Sequence, residues 1–173
     1  MPSSSSKKKS WRETTSSILS GISVSIKRIN LAFEPIRNKI KSNLESITSI
    51  QEVHDYPNME VGGYPSALIA SNRLEANFET TTQNLRTYVF GVYIIQDQEH
   101  DKVRARRVIE GVVDDIVQVF DKDQLLSGID LETGETMIIS YPILSEIYTS
   151  SENPKLLVGE LEIKVVVSFD TTT

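Results

Sequence analysis

Cysteine is absent from the 173 residues, which excludes disulfides, a thiol nucleophile and every cysteine-ligated zinc or iron–sulfur centre. Histidine is nearly absent. His54 and His100 are the only two, too little imidazole for a preorganised zinc site. They adjoin carboxylates in His54–Asp55 and Glu99–His100–Asp101, where a solvated turn and the start of a helix account for both clusters. No apolar run approaches the roughly 18 residues that span a bilayer. The eight glycines form no GxGxxG, GxxxxGK[ST] or GxSxG pattern, so neither a phosphate cradle nor a nucleophile elbow can be named. Asp121, Asp123 and Glu132 match the first, third and twelfth positions of a calcium loop. Leu125 and Leu126, however, stand where that loop needs an oxygen ligand and a tight-turning glycine. Adjacent Asp114 and Asp115 point apart on a helix, and Glu160 with Glu162 reads as a solvated stripe along one strand face. The sequence thus offers no catalytic, cofactor-binding or metal-binding residue, and a non-enzymatic protein is expected.

Positive charge is scarce in one part of the chain and concentrated in another. Residues 1–41 hold nine basic residues against two acidic, a net +7, whereas the remainder holds nine against twenty-two, a net −13. An acidic body is a poor nucleic-acid binder, because phosphate contacts require lysine and arginine. At this length one ordinary domain buries a sizeable core without staples. Residues 1–17, MPSSSSKKKSWRETTSS, are too apolar-poor to repay the entropy of ordering and read as a flexible arm. Ile18, Ile22, Ile26 and Ile29 fit helical spacing, while Ile22, Val24 and Ile26 also alternate as in a strand; periodicity leaves both open. The interrupted stretch from Ile18 to Ile26 does not fit a signal peptide, and a transit peptide fits the Ser-rich basic composition better. The expected organisation is a basic arm over 1–30 and one domain over 31–173.

Periodicity sets the elements of that domain. Pro35 suits the first turn of a helix whose stripe is Ile36, Ile40, Leu44 and Ile47. Turn residues crowd YPNMEVGGYP over 56–65. Residues 64–71 predict a short strand, 74–82 alternate loosely, and 86–95 (RTYVFGVYII) alternate most cleanly. The last segment has apolar residues on both faces, which predicts a central strand covered on both sides, or on one side plus an interface. Ile109, Val112, Val113, Ile116, Val117 and Phe120 predict a buried stripe on a helix over 102–120, with Asp97 and Asp101 available as caps. Residues 136–140 predict a strand that Pro142 pushes to an edge or bulge. Leu161, Ile163, Val165, Val167 and Phe169 alternate with polar residues as a half-exposed strand. Helix, strands, helix, strands gives an α+β fold with a mostly antiparallel sheet and two main helices on one face.

Two features read as contact surfaces. Lys7, Lys8 and Lys9 precede Trp11, the only tryptophan; basic residues beside an aromatic grip phosphate or an acidic protein surface, and a solubilising tail is the alternative. On the long helix, Arg104, Arg106 and Arg107 lie in the first half and Glu110, Asp114 and Asp115 in the second. That order opposes the helix dipole at about 0.3–1 kcal/mol per unfavourable charge. It would suit a neighbouring copy in a head-to-tail ring, unless Asp97, Glu99 and Asp101 simply offset the arginines.

The order of pieces resembles the tail-terminator (tail-completion) proteins of long-tailed bacteriophages. The resemblance covers about residues 31–170: LAFEPIRNKIKSNLESI, then GGYPSALIASNRLEANFETTTQNLRTYVFGVYIIQD, then RARRVIEGVVDDIVQVFDKD, then GELEIKVVVSF. It implies a virion protein, made in the host cytoplasm, that forms a homo-oligomeric and typically hexameric ring at the head-proximal end of the tail. Such a ring stops growth of the tube, contacts the tail tube protein and a head–tail connector or neck protein, and passes DNA through its lumen without specific binding. No cofactor and no membrane are implied. The basic segment over 1–30 is longer than such proteins lead one to expect. Another neck ring protein, or a soluble adaptor whose basic arm binds nucleic acid or an anionic surface, remains an alternative.

Overall fold

The cleanest alternation in the sequence becomes the middle of the sheet. The computed structural model describes residues 33–55, 61–78, 83–129, 131 and 135–170. Helix α1 spans 33–45 and helix α2 Lys102–Lys122; the strands are β1 Glu52–His54, β2 Ser66–Phe78, β3 Gln83–Asp97, β4 Glu135–Thr149 and β5 Leu156–Asp170. They form one five-stranded sheet in the order β1-β2-β3-β5-β4, antiparallel except for the β1–β2 pair. The fold is α+β, as the pattern predicts.

Side chains that alternate along β3 and β5 build the core. Tyr88, Phe90, Val92 and Ile94 of β3 and Leu161, Ile163, Val165 and Val167 of β5 are buried on the face that carries the helices. Against them pack Ile36, Ile40 and Leu44 of α1 and Ala105, Ile109, Val112, Val113, Ile116 and Phe120 of α2. Phe33 opens α1 edge-on to Tyr88, with ring centroids 4.9 Å apart. Ile47 is buried in the turn beyond α1, outside the helix that its spacing suggests. Gly159 of β5 lets α2 approach closely, since a Cβ there would lie 2.5 Å from Cγ2 of Ile109.

Caps and clamps fix the ends. Asp101 is the N-cap of α2, its Oδ1 accepting from the Arg104 N–H at 2.9 Å. At the other end Asp123 accepts from the Ser127 N–H at 2.6 Å and pairs with Lys39 of α1 at 3.2 Å. Leu126 follows with φ 47°, a left-handed conformation costing about 1–2 kcal/mol in a non-glycine residue, and is fully buried. Gln98, also buried, ties the end of β3 to the β4–β5 hairpin by donating to Thr149 Oγ1 at 3.1 Å and the Pro154 carbonyl at 2.9 Å.

Three further local readings need correction, and one strand goes unread. Residues 64–71 and 74–82 do not make separate pieces: β2 runs continuously from Ser66 to Phe78, and a bulge at Asn72 absorbs the register shift between Ser71 and Arg73. Val117 is 36% exposed rather than buried; at 100° per residue it lies about 80° round the helix from Ile109, at the margin of the stripe. Strand β4 does not stop at Ser140. It continues through Pro142 to Thr149, because on an edge strand the missing N–H can face away from the ladder. The short parallel strand β1 carries no alternation to announce it. The arm over 1–30 lies outside the described residues.

Candidate interaction surface

The polar face of α2 is less uniform than its sequence suggests. Arg104, Arg106, Arg107, Glu110 and Asp114 are all exposed, and Asp115 is half-buried. Arg106 Nε donates to Glu110 Oε1 at 3.0 Å, one turn away. Asp115 accepts from the Ser49 hydroxyl at 2.7 Å and so faces the α1–β1 connection. Arg104, Arg107 and Asp114 keep no side-chain ion pair among the described residues. The nearby acids do not pair with the arginines either: Asp97 Oδ1 accepts from the Glu99 N–H, Glu99 pairs with Lys155 at 2.7 Å, and Asp101 caps the helix. Lys7, Lys8, Lys9 and Trp11 lie outside the described residues.

Beside this helix start lies an open groove of about 400 Å³ between Tyr64, Pro65, Gln96, His100 and Arg104. Within it Gln96 Nε2 donates to the Asp97 carbonyl and Asp101 Oδ1 accepts from the Arg104 N–H as the helix cap, while Gln96 Oε1 is buried without a partner among the described residues. His54 meets Glu52 at 3.2 Å, and the Glu52 carboxyl is held below its usual range chiefly by the Gly62 N–H, then by His54. Asp55 pairs with Lys41 at 2.7 Å. No group of three His, Cys, Asp or Glu side chains among the described residues is placed to hold a metal.

The sheet face turned away from the helices, and the edge at β4, carry what sequence reasoning missed. Ile138, Tyr141, Ile143 and Leu144 are 47%, 38%, 41% and 45% exposed. Tyr141 and Ile143 share the outer face with Lys164 and Glu162, their cross-strand partners, whereas Leu144 projects from the helix side. A bulge at Ser145 returns Glu146 to the outer face, directly opposite Glu160. Neither carboxylate has an ion pair among the described residues, and like charges placed directly opposite are destabilising. Glu162, by contrast, is held by Arg73 at 2.9 Å, which also bonds Glu75 at 2.7 Å. Burial, then the Glu160 charge, pushes the Tyr93 and Tyr148 hydroxyls up from their ordinary value. The sequence signal for this edge is TMIISYPILSEIYT, an apolar strand pattern interrupted by proline.

The backbone of that edge is blunted. The Ser140 N–H is taken by the Gln124 carbonyl at 2.6 Å, and Pro142, two residues on, has none to offer.

No family model matches the sequence, and no curated protein matches it. Among solved structures the fold is similar to that of a chain in the virion of a native gene transfer agent particle. The TM-score is 0.56 at 11% sequence identity, covering 79% of this chain and 97% of that one. At that identity the likeness is one of fold.

Proposed function

We propose that this chain is a structural virion protein that forms a ring at the head-proximal end of a phage tail tube, ending tube growth and joining tail to head or neck. The observation that carries the reading is the fold likeness to a virion chain over 97% of that chain's length, which agrees with the independent resemblance of the sequence to tail terminators. The charge balance suits it as well. Beyond residue 41 the chain has a net −13, and a DNA conduit lined by such subunits avoids the counterion release that would hold the passing duplex. The exposed apolar edge suits a subunit whose working state is an assembly. In this role the protein works by geometry and carries out no reaction.

The test is assembly. Full-length protein, alone and mixed with tail tube and neck proteins from the same genome, is expected to give rings by negative-stain microscopy, seated at tube ends in the mixture. A chain that stays monomeric in every mixture would refute the reading. So would salt-sensitive binding of DNA that vanishes on deleting residues 1–30 with no ring formed, the behaviour of an adaptor.

A further inference from the structure

We propose that the β4 edge receives a second copy of this chain, whose α2 presents Val103, Arg104 and Arg107 to it. The inference rests on the ring reading only in requiring contact between copies; it names which surfaces meet. Both surfaces are unfavourable in isolation. Among the described residues, Glu146 and Glu160 face each other across the β4–β5 ladder without a base, while Arg104 and Arg107 have no ion pair and lie near the positive end of the helix dipole. Apposed, each supplies the charge that the other lacks.

The apolar parts match in the same way. Val103 is 64% exposed beside the arginines, and Tyr141 and Ile143 are exposed beside Glu146. One copy cannot satisfy both sides itself. Helix α2 packs on the sheet face that carries Phe90 and Ile163, whereas Glu146 and Glu160 point from the opposite face. Two different patches on separate sides of one subunit make a heterologous, head-to-tail contact, the kind that generates rings when the rotation closes. The Gln124 carbonyl on Ser140 and the proline at 142 interrupt the run of free N–H groups that strand addition needs, which favours a contact made by side chains over that stretch.

Charge reversal tests this with the full chain, read by sedimentation velocity over a micromolar concentration series. Glu146→Lys/Glu160→Lys and Arg104→Glu/Arg107→Glu are each expected to raise the concentration needed for association by about tenfold or more. An equimolar mixture of the two variants restores complementary charge at every contact and is expected to regain association, which misfolded variants would not do. Wild-type protein that associates while both variants associate equally well overturns the proposal and leaves the ring reading standing. Loss in each variant without recovery in the mixture also overturns it. Wild-type protein that is monomeric throughout the series overturns it too, and the mixtures with tube and neck proteins then decide the ring reading separately.

Discussion

Replacing Gly159 by alanine tests whether α2 sits on β5 as described. The new methyl carbon would lie 2.5 Å from Ile109 Cγ2 and 3.9 Å from Ile94 Cβ. Carbon atoms pack at about 3.5–4.0 Å, so roughly 1 Å of separation must be made at a fully buried residue. Ile109 cannot swing aside cheaply, because a β-branched side chain in a helix has one strongly preferred rotamer. Its neighbours on the stripe, Ala105, Val112, Val113 and Ile116, are buried as well and resist lifting of the helix. Overpacking of this kind costs about 1–3 kcal/mol. The lower entropy of the unfolded alanine variant returns about 0.4–1 kcal/mol, leaving a net loss of up to about 2.6 kcal/mol. For a chain of this length that lowers the thermal midpoint by up to roughly 10 °C. Ile109→Ala alone opens a cavity and costs about 2–5 kcal/mol. In the double variant the alanine at 159 occupies part of that cavity, so the combined loss is smaller than the sum by about 1 kcal/mol or more. Urea unfolding followed by far-UV circular dichroism, at one protein concentration and with unchanged slope, measures all four corners of the cycle. A Gly159→Ala variant more stable than the wild type, or additivity within about 0.5 kcal/mol, would refute the seating of Ile109 on this glycine.

Two further outcomes follow from the same surfaces and caps. Burial opposes the charge on Asp123, but the Ser127 N–H and hydroxyl, Lys39 and Asn43 prevail and hold its carboxyl below the usual aspartate value. A depressed folded pKa gives stability that is present above the unfolded pKa and lost as pH falls through the folded one. Urea midpoints of the wild type and Asp123→Asn are therefore expected to differ near neutral pH and to converge as pH drops below about 4; a constant gap would be the contrary result. Gly111 lies on the exposed side of α2 with nothing within 4 Å of where a Cβ would sit. Gly111→Ala is expected to raise stability by about 0.5–1 kcal/mol in urea unfolding, and a loss would contradict the open surroundings.

Elements that repeat one period over several turns were legible. The α2 stripe from Ile109 to Phe120 and the alternation through β3 and β5 each repeat often enough to fix type and buried face. Errors fell where a residue has two meanings. Pro142 marks an edge, as its missing N–H implies, but a proline also ends strands, and it is the stop at Ser140 that the structure corrects. Asn72 looks like a break between strands and is a bulge, its side chain lying over Gly91, where a Cβ would meet Nδ2 at 2.8 Å. The candidate surface was half legible for a related reason. The Arg106–Glu110 pair follows from helical spacing, whereas the Ser49 that engages Asp115 is 66 residues away. The opposition of Glu146 and Glu160 depends on the bulge at Ser145, which shifts which β4 residues face outward.

The composition of the β4 edge bears on why assembly would close instead of continuing. A free-standing subunit protects an edge with charge or proline, because bare strands pair without limit. Here the backbone is protected at two positions, by Pro142 and by the Gln124 carbonyl on Ser140, yet exposed Tyr141, Ile143 and Leu144 remain beside them. Protecting the backbone while leaving the apolar side chains separates two kinds of association. Strand addition tolerates slipped registers and open-ended growth. Side-chain contact between an acidic apolar edge and a basic helix start admits one orientation, and a fixed rotation per subunit closes into a ring of definite size or does not close at all. On the proposed reading that distinction is the function: a protein that ends a tube must itself stop adding copies. An edge on which strand pairing is interrupted but whose side chains are still adhesive has the properties that such a stop requires.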